Sequence, residues 1–315
     1  MRLTTRCNSA CQHCTIADIA HHPEPRVEEV WAEIVRGRRD GCTELVFMRG
    51  EATLRRELLS LTRKARRLGY AHIQLQTNGR MLAYEEYLDR LLEAGMTYFE
   101  VSFFGDEAAV HDAIDGCPGA FEQASAGLRH LARRGAGCLV TVPVVRANHQ
   151  RLPALVDTLH GLGVGRVQFN WTRPVQVDGR WVTGPLVRLA AATPFIREAL
   201  ARARALGMRG ETEAVPLCHL AAEDRGGADV LEDFSRHQVA DVHRREASMA
   251  AHRRVSRPLA PSCAGCSARE ICPTTWAAYQ ELFGTDEFVP LGDVGTSGAL
   301  ADVGATGGAL DVGAP

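Results

Sequence analysis

The amino-acid sequence predicts an α/β protein built on a parallel sheet. From Val27 to about Asn170, short runs rich in β-branched and aromatic residues alternate with longer runs whose apolar residues repeat with the period of a helix. Several of the helical runs end close to a glycine, as helices commonly do. Strands that alternate with helices are typical of a parallel sheet, because each helix returns the chain to the same edge.

With an opening strand before Cys7, the pattern contains six strand–helix units. The other predicted strands cover residues 44–48, 72–77, 98–103, 137–145 and 166–170. The helical runs between them cover residues 27–38, 55–68, 84–94, 121–134 and 152–161. A further long helical pattern covers residues 185–206.

The alternation stops after Gly210, where cysteines return and the apolar period becomes irregular. We therefore predict a core domain over residues 1–206 and a smaller domain over residues 207–290. Residues 291–315 repeat Asp-Val-Gly and similar units of small residues, which bury too little surface to offset the entropy of ordering. They are predicted to form a disordered tail.

Composition excludes several classes of protein. The 36 Lys and Arg residues nearly balance the 38 Asp and Glu residues, so no long-range field favours nucleic acid or an acidic membrane. No apolar run approaches the length of a membrane span, and Arg2 and Arg6 stand where a signal peptide would be apolar. We expect a cytoplasmic protein that binds neither nucleic acid nor a membrane.

Six of the ten cysteines fall into two compact groups, a spacing that favours metal binding over disulfides. The first group is Cys7, Cys11 and Cys14. Three thiolates can bind three irons of a cubane cluster and leave the fourth iron open, whereas a closed structural site has four protein ligands. The alternative for this spacing alone is a zinc loop that takes its fourth ligand from elsewhere in the chain.

This spacing, with His13 directly before the last cysteine, resembles the cluster motif of radical S-adenosylmethionine (radical SAM) enzymes. The resemblance implies a partial (β/α)6 barrel, similar to a TIM barrel, with a [4Fe–4S] cluster at Cys7, Cys11 and Cys14. It also implies that the open iron chelates the amino and carboxylate groups of S-adenosylmethionine. The reduced cluster then cleaves the sulfonium to give a 5′-deoxyadenosyl radical, which takes a hydrogen atom from the substrate.

The same resemblance implies cofactor-binding residues at the strand ends. Residues 49–52, Arg-Gly-Glu-Ala, are similar to the family's Gly-Gly-Glu-Pro motif, in which Gly50 and Glu51 match and would help to hold the methionyl amino group. Asn78 and Ser102, which end the next two strands, would add hydrogen bonds, and His13 belongs to the same cofactor site. Outside this family, an Asn-Gly pair such as the one at Asn78 is an ordinary turn.

Four more positions are candidates for the site. Arg146 is expected to pair with the methionyl carboxylate, because a guanidinium binds that group through two hydrogen bonds, and otherwise it is a surface arginine. Gln168 and Asn170 would approach adenine or substrate, or else pair inside the protein. Cys117, in a glycine-rich loop, is a candidate radical-quenching donor or reactive thiol, although a lone cysteine is most often inert.

The second cysteine group is Cys263, Cys266 and Cys272, with Cys218 upstream. Four such thiolates can close a tetrahedral or a cubane site. The group resembles the C-terminal twitch and SPASM-like domains of radical SAM enzymes, which implies an auxiliary [4Fe–4S] cluster. The full SPASM pattern has seven cysteines and two clusters, so one cluster fits here. A structural zinc at the same four positions is the alternative.

The resemblance implies an oxidoreductase or maturase that modifies a peptide by forming thioether, carbon–carbon or epimerised centres. The alternatives are a small-molecule dehydrogenase or rearrangement enzyme and, from another class, a non-catalytic zinc-binding module. An external electron donor of the flavodoxin or ferredoxin type is implied. Since only six residues precede Cys7, we expect no fused peptide-recognition domain, so a peptide would dock directly or through a separate recognition protein.

Overall fold

The structure is a computed structural model that describes residues 1–16, 22–229, 238–241, 244–246 and 249–292. Its strands are β1 (Glu44–Phe47), β2 (His72–Thr77), β3 (Tyr98–Ser102), β4 (Gly137–Val144), β5 (Arg166–Trp171), β6 (Gln176–Val177), β7 (Arg180–Trp181), β8 (Arg209–Glu213), β9 (Val239–Asp241) and β10 (Arg244–Glu246). Strands β1, β2, β3, β4, β5 and β8 form one sheet in that order, and every pairing in it is parallel. The predicted α/β class and six-stranded parallel sheet are therefore confirmed.

Helices lie between successive strands of this sheet, before its first strand and after its last. They are α1 (Val27–Arg39), α2 (Leu58–Leu68), α3 (Glu85–Ala94), α4 (Ala108–Asp115), α5 (Ala120–Arg133), α6 (Leu152–Gly161), α7 (Leu189–Ala205), α8 (Met249–Ser256) and α9 (Ala277–Phe283). The glycines predicted to end helices do so at α2 and α3, where Gly69 and Gly95 have φ values of 99° and 104°. The left-handed backbone conformation at this position favours glycine, because glycine has no Cβ that would clash.

The two faces of the sheet differ in chemistry, because successive residues of a strand point to opposite sides. One face is apolar and packs into the hydrophobic core; it carries Phe47, Leu75, Phe99, Val142 and Phe169. The other face, which we call the polar sheet face, carries Gln76, Glu100, Ser102, Thr141, Gln168, Asn170, Glu211 and Glu213. Polar groups are therefore concentrated on the side of the sheet away from the apolar core.

The sixth strand is not the one that the sequence predicts. The opening segment makes one parallel bridge, between Arg2 and Met48, rather than a strand. Beyond this bridge the chain bends at Thr5, where the N–H of Arg6 bonds the Thr4 hydroxyl at 3.0 Å, and no strand continues. The sheet instead takes its sixth strand from β8, which pairs with β5. The predicted boundary at residue 206 stays a prediction, but the sheet itself extends to Glu213.

The chain after β8 docks on the sheet through buried charges. The Arg257 guanidinium, 1% exposed, lies 2.6 Å from the Asp229 carboxylate and 2.7 Å from that of Glu213 at the end of β8. It also stacks 4.0 Å from the centre of the Trp276 ring, whose Nε1 donates to the Trp171 carbonyl at 2.7 Å. Buried charges are tolerated when each is paired, so this network fixes the second cysteine region against β5 and β8.

Of the predicted tail 291–315, only Leu291 and Gly292 lie within the described residues. The Leu291 carbonyl accepts a hydrogen bond from the N–H of Ser267 at 3.0 Å, so this residue packs beside the second cysteine group. Among the helices that the structure describes, none combines the length and the apolar composition needed to cross a bilayer.

Candidate functional site

Residues 7–14, which we call the first cysteine loop, are held on one side by residues that follow β2. Asn78 Nδ2 donates to Asn8 Oδ1 at 2.7 Å and to Ser9 Oγ at 2.9 Å, and it lies 3.9 Å from Cys7 Sγ. Arg80 donates to the carbonyl of Asn8. Asn78, a predicted cofactor residue, therefore contacts the loop itself and positions it.

The other side of the first cysteine loop rests on the C-terminal end of α4. Asp115 accepts hydrogen bonds from the Ser9 hydroxyl and the Ala10 N–H, both at 2.8 Å. Gly116 has φ of 79°, and a Cβ there would lie 2.7 Å from the Ala10 carbonyl oxygen. The Cys117 thiol donates to the Asn8 carbonyl at 3.3 Å, which brings this candidate thiol against the loop backbone. Every residue between Cys7 and Cys11 is thus anchored.

Gly50 lies where the chain after β1 crosses the segment that leads into the first cysteine loop. Its φ is 59°, and a Cβ would lie 2.4 Å from the Thr4 carbonyl oxygen and 2.9 Å from that of Arg6. The adjacent N–H of Glu51 donates to the Arg6 carbonyl at 2.8 Å. Both the backbone angle and the close approach require glycine, so this predicted residue shapes the site by its lack of a side chain.

Glu51, predicted to help to hold the methionyl amino group, is buried between the ends of two strands. Its carboxylate, in a residue 1% exposed, accepts hydrogen bonds from the hydroxyls of Thr53 and Thr77 and from the N–H of Asn78, at 2.6, 2.9 and 2.9 Å. Burial raises the pKa of Glu51, and these donors oppose that shift. The carboxylate therefore ties the ends of β1 and β2 together, and direct contact with a methionyl ammonium stays a prediction.

The three thiols of the first cysteine loop fit a metal cluster by their chemistry. Cys7 is exposed, and Cys11 and Cys14 are half-buried. Burial raises the pKa of Cys7 and Cys11, and the nearby Cys14 and Asp115 raise both further, so the thiolates need a compensating cation. A cationic cluster supplies it.

Within the described ranges, no three His, Cys, Asp or Glu side chains converge on a single-ion position. A cubane cluster does not require the three sulfurs to converge on one point, because each thiolate binds a different iron.

A cavity of about 230 Å³ opens beside the first cysteine loop. Its lining includes Gln12, His13, Ile114, Val145, Arg146 and Pro185. The His13 ring packs edge-on against Phe104 at 5.2 Å, and burial lowers its pKa to about 4, so it is neutral at pH 7. The exposed Arg146 side chain is fixed at the rim by a 3.1 Å hydrogen bond from Nε to the Leu186 carbonyl. The structure thus brings the predicted residues His13 and Arg146 to one cavity with largely apolar walls.

The polar sheet face holds the remaining candidates and a carboxyl that the sequence analysis missed. Ser102 Oγ lies 3.5 Å from Thr141 Oγ1, and Asn170 donates to Glu213 at 2.7 Å. Glu100, the missed residue, accepts from the side-chain amides of Gln74 and Gln76, and burial raises its pKa to about 7.

The alternation of these polar residues along β2 and β3 was the signal available in the sequence. It places Gln76, Glu100 and Ser102 on one face of the sheet.

The second cysteine group surrounds one cavity. Cys218, Cys263, Cys266 and Cys272 all line it, among mostly apolar neighbours. Backbone N–H groups point at three of the sulfurs: that of Leu217 at Cys272 (3.5 Å), that of Leu291 at Cys266 (3.4 Å) and that of Val289 at Cys218.

Such donors stabilise thiolates and tune the clusters that thiolates hold. The donor set therefore fits a group bound by four cysteines.

Sequence comparisons with known proteins match about half of the chain. A family model described as the radical SAM superfamily matches residues 1–159. A pre-heme d1 synthase of Dinoroseobacter shibae is 32% identical over 166 residues, which are 52% of this chain and 40% of that protein. An Fe-coproporphyrin III synthase of Methanosarcina barkeri is 31% identical over 169 residues, 53% of this chain and 42% of that protein. The chain therefore matches less than half the length of either relative.

One solved structure has a fold similar to that of this chain. The crystal structure of Streptococcus suis SuiB bound to its precursor peptide SuiA has a TM-score of 0.56 and 13% identity, covering 67% of this chain and 47% of that one. At this identity the match speaks for the fold alone. The family match spans half of the chain and contains the first cysteine loop, Gly50 and Asn78. Together with the parallel sheet that positions these residues, it assigns this chain to the radical SAM superfamily.

Proposed function

We propose that this enzyme cleaves S-adenosylmethionine at a [4Fe–4S] cluster held by Cys7, Cys11 and Cys14, and uses the resulting radical to modify a peptide. One observation carries the proposal: the anchored first cysteine loop leaves Cys7 exposed and adjoins the cavity at His13 and Arg146. When bound, the cluster and cofactor supply an electron and a 5′-deoxyadenosyl radical that takes hydrogen from the substrate.

The residues of the chain prepare this reaction by orienting its parts. Asn78 and Asp115 fix the first cysteine loop from two sides, so the thiolates keep their positions while a ligand enters. The neutral His13 ring and its apolar neighbours suit a flat nucleoside base. Arg146 at the rim suits the methionyl carboxylate, which a guanidinium binds in bidentate fashion.

The peptide assignment is supported by the polar sheet face. Gln76, Gln168 and Asn170 carry amides that both donate and accept, as does the backbone of a peptide. Ser102 and Thr141 add hydroxyls beside them. The likeness in fold to a protein crystallised with its precursor peptide agrees with this assignment.

The second cysteine group supports an oxidative outcome. Removing a hydrogen atom from a substrate leaves a radical, which becomes a neutral closed-shell product when it loses one further electron to an acceptor and a proton to solvent. A second cluster at Cys218, Cys263, Cys266 and Cys272 is a fitting acceptor, and an external flavodoxin-type or ferredoxin-type donor would supply the first electron.

A haem or porphyrin substrate is the second candidate. Two of the relatives that match about half of the chain, a pre-heme d1 synthase and an Fe-coproporphyrin III synthase, favour this candidate. Since the match covers less than half of each relative, it leaves the substrate open to experiment.

The test separates the two candidates. The full chain, reconstituted without oxygen, is incubated with S-adenosylmethionine and dithionite, and either with a small peptide encoded beside this gene or with iron coproporphyrin. We expect 5′-deoxyadenosine to accumulate and the peptide mass to fall by the hydrogens lost in a new bond. A changed porphyrin with an unchanged peptide would transfer the assignment to the second candidate. A colourless zinc protein without 5′-deoxyadenosine would refute both.

A further inference from the structure

We propose that Asp115 and Arg80 tune the reduction potential of the cluster at the first cysteine loop in opposite directions. Asp115 lowers the potential and Arg80 raises it. The inference rests on the proposed cluster, but it does not depend on the substrate. Both residues act through the loop backbone and its sulfurs, so they are positioning residues rather than catalytic ones.

Asp115 is a buried carboxylate pressed against the first cysteine loop. The residue is 1% exposed, and its Oδ2 accepts from the Ser9 hydroxyl at 2.8 Å while its backbone carbonyl accepts from Ala10. Ser9 and Ala10 lie between the first two cysteines. A carboxylate excluded from water is screened weakly, so its charge acts strongly on the neighbouring sulfurs.

Arg80 contacts the same stretch of the first cysteine loop and lies beside Asp115. It donates to the Asn8 carbonyl, and its Nη1 lies 3.9 Å from Asp115 Oδ1. Its Nε is fixed by Gln123 at 2.7 Å, and its side chain is 15% exposed. The loop therefore contacts both a fixed negative and a fixed positive charge, which form an ion pair with each other.

The two charges act with opposite signs on a cluster held by this loop. The Asp115 side chain contacts Ser9, between the first two cysteines, and Arg80 contacts the Asn8 carbonyl next to Cys7. Adding an electron to a cluster beside a carboxylate is unfavourable, whereas adding one beside a guanidinium is favourable. Removing each charge must therefore shift the potential with opposite sign.

The experiment is a redox titration of the reconstituted full chain, followed by electron paramagnetic resonance. The first cluster is recognised because its signal changes when S-adenosylmethionine is added. We expect Asp115→Asn to raise the midpoint potential, so that the ratio of reduced to oxidised cluster at a fixed solution potential increases about tenfold, or about 59 mV for one electron. Arg80→Gln should lower it.

Two control variants separate charge from structure. Ser9→Ala removes the hydrogen bond and keeps both charges, so it should shift the potential less than Asp115→Asn does. Glu107→Gln removes an exposed carboxylate beside the opposite end of α4 and should leave the potential unchanged.

Three outcomes would overturn the inference. They are equal shifts of the midpoint potential in all four variants, shifts of the same sign in Asp115→Asn and Arg80→Gln, and no shift in either of these two. If Asp115→Asn fails to hold iron, Arg80→Gln decides alone: a lowered potential supports the inference, and an unchanged or raised one overturns it. A signal in the unaltered protein that never responds to S-adenosylmethionine would instead refute the proposed function.

Discussion

The first cysteine loop keeps Cys7 exposed and is anchored by side chains that reach it from the ends of β2 and α4, whereas the second cysteine group lines an apolar cavity and receives backbone N–H groups at its sulfurs. Three thiols leave a cubane with an open iron, and four close it. An open site must admit a ligand and release it, while a closed site only has to hold its metal. The two constructions suit binding and chemistry at the first site, and electron storage at the second.

The largest effect should come from replacing Cys7, Cys11 and Cys14 together with alanine. Formation of 5′-deoxyadenosine from S-adenosylmethionine and dithionite should vanish, because no thiolate remains to hold the open cluster. Iron should fall from about eight to about four atoms per chain, at four per cubane. If the triple variant still cleaved S-adenosylmethionine, the first site would not be the one that carries out this reaction.

Replacing Cys218, Cys263, Cys266 and Cys272 with alanine tests the closed site. Iron should again fall to about four per chain, since one cubane is lost. Cleavage of S-adenosylmethionine should persist because the first cysteine loop is anchored by other residues, Asn78 and Asp115, while conversion of the substrate should stop. Zinc instead of iron at this site, measured by elemental analysis of the triple variant above, would show that it stores no electrons.

Gly50→Ala tests how tightly the first site is packed. The new Cβ would meet the Thr4 carbonyl at 2.4 Å, so we expect a loss of about 3 kcal/mol or more in unfolding free energy and a reduced iron content. Gly119→Ala is the matched control. Gly119 also has a positive φ, of 82°, but, apart from its two chain neighbours, none of the residues that the structure describes has an atom within 4 Å of its missing Cβ.

The control should therefore lose only about 1 kcal/mol and keep its iron. Denaturant unfolding and iron analysis of the two variants give the comparison. Similar losses in both would mean that backbone strain, and not the contact with Thr4, explains the glycine.

The smallest effect should come from shortening the C-terminus. A chain ending at Gly292 keeps the N–H of Leu291 on Cys266 and should match the full chain in iron content. A chain ending at Pro290 loses that bond and the contact with Ser267, so its second cluster should bleach faster in air. The first cluster should be unaffected by either cut. Equal stability of the two shortened proteins would show that Leu291 does not support the closed site.

Much of the sheet was predictable because its strands alternate apolar and polar residues over several positions. Strand β8 escaped because its sequence, Arg-Gly-Glu-Thr-Glu, offers no apolar run, and its position depends on pairing with β5. The Cys7, Cys11 and Cys14 spacing is local, so the sequence alone could group these residues. The hydrogen bond from Ser9 to Asp115 joins residues about a hundred positions apart in the chain, and no local sequence pattern encodes it.

Glu51 shows the same limit at one residue. The motif places an acid at the end of β1, but its environment is made by Thr77 and Asn78, which follow the next strand. Similarly, the bond from Leu291 to Cys266 joins segments without sequence periodicity, and the tail over residues 291–315 stays a prediction. Sequence patterns identified the candidate residues, but the groups that these residues contact depend on the tertiary fold.

The pairing of β8 with β5 has a practical consequence for anyone who isolates the first half of this chain. A fragment ending at residue 206 would strip β5 of its neighbour and present a row of unpaired N–H and C=O groups to solvent. Uncovered edges of this kind recruit strands from other molecules. Such a fragment should aggregate, and a soluble one must include Glu213, together with Arg257, which neutralises its carboxylate.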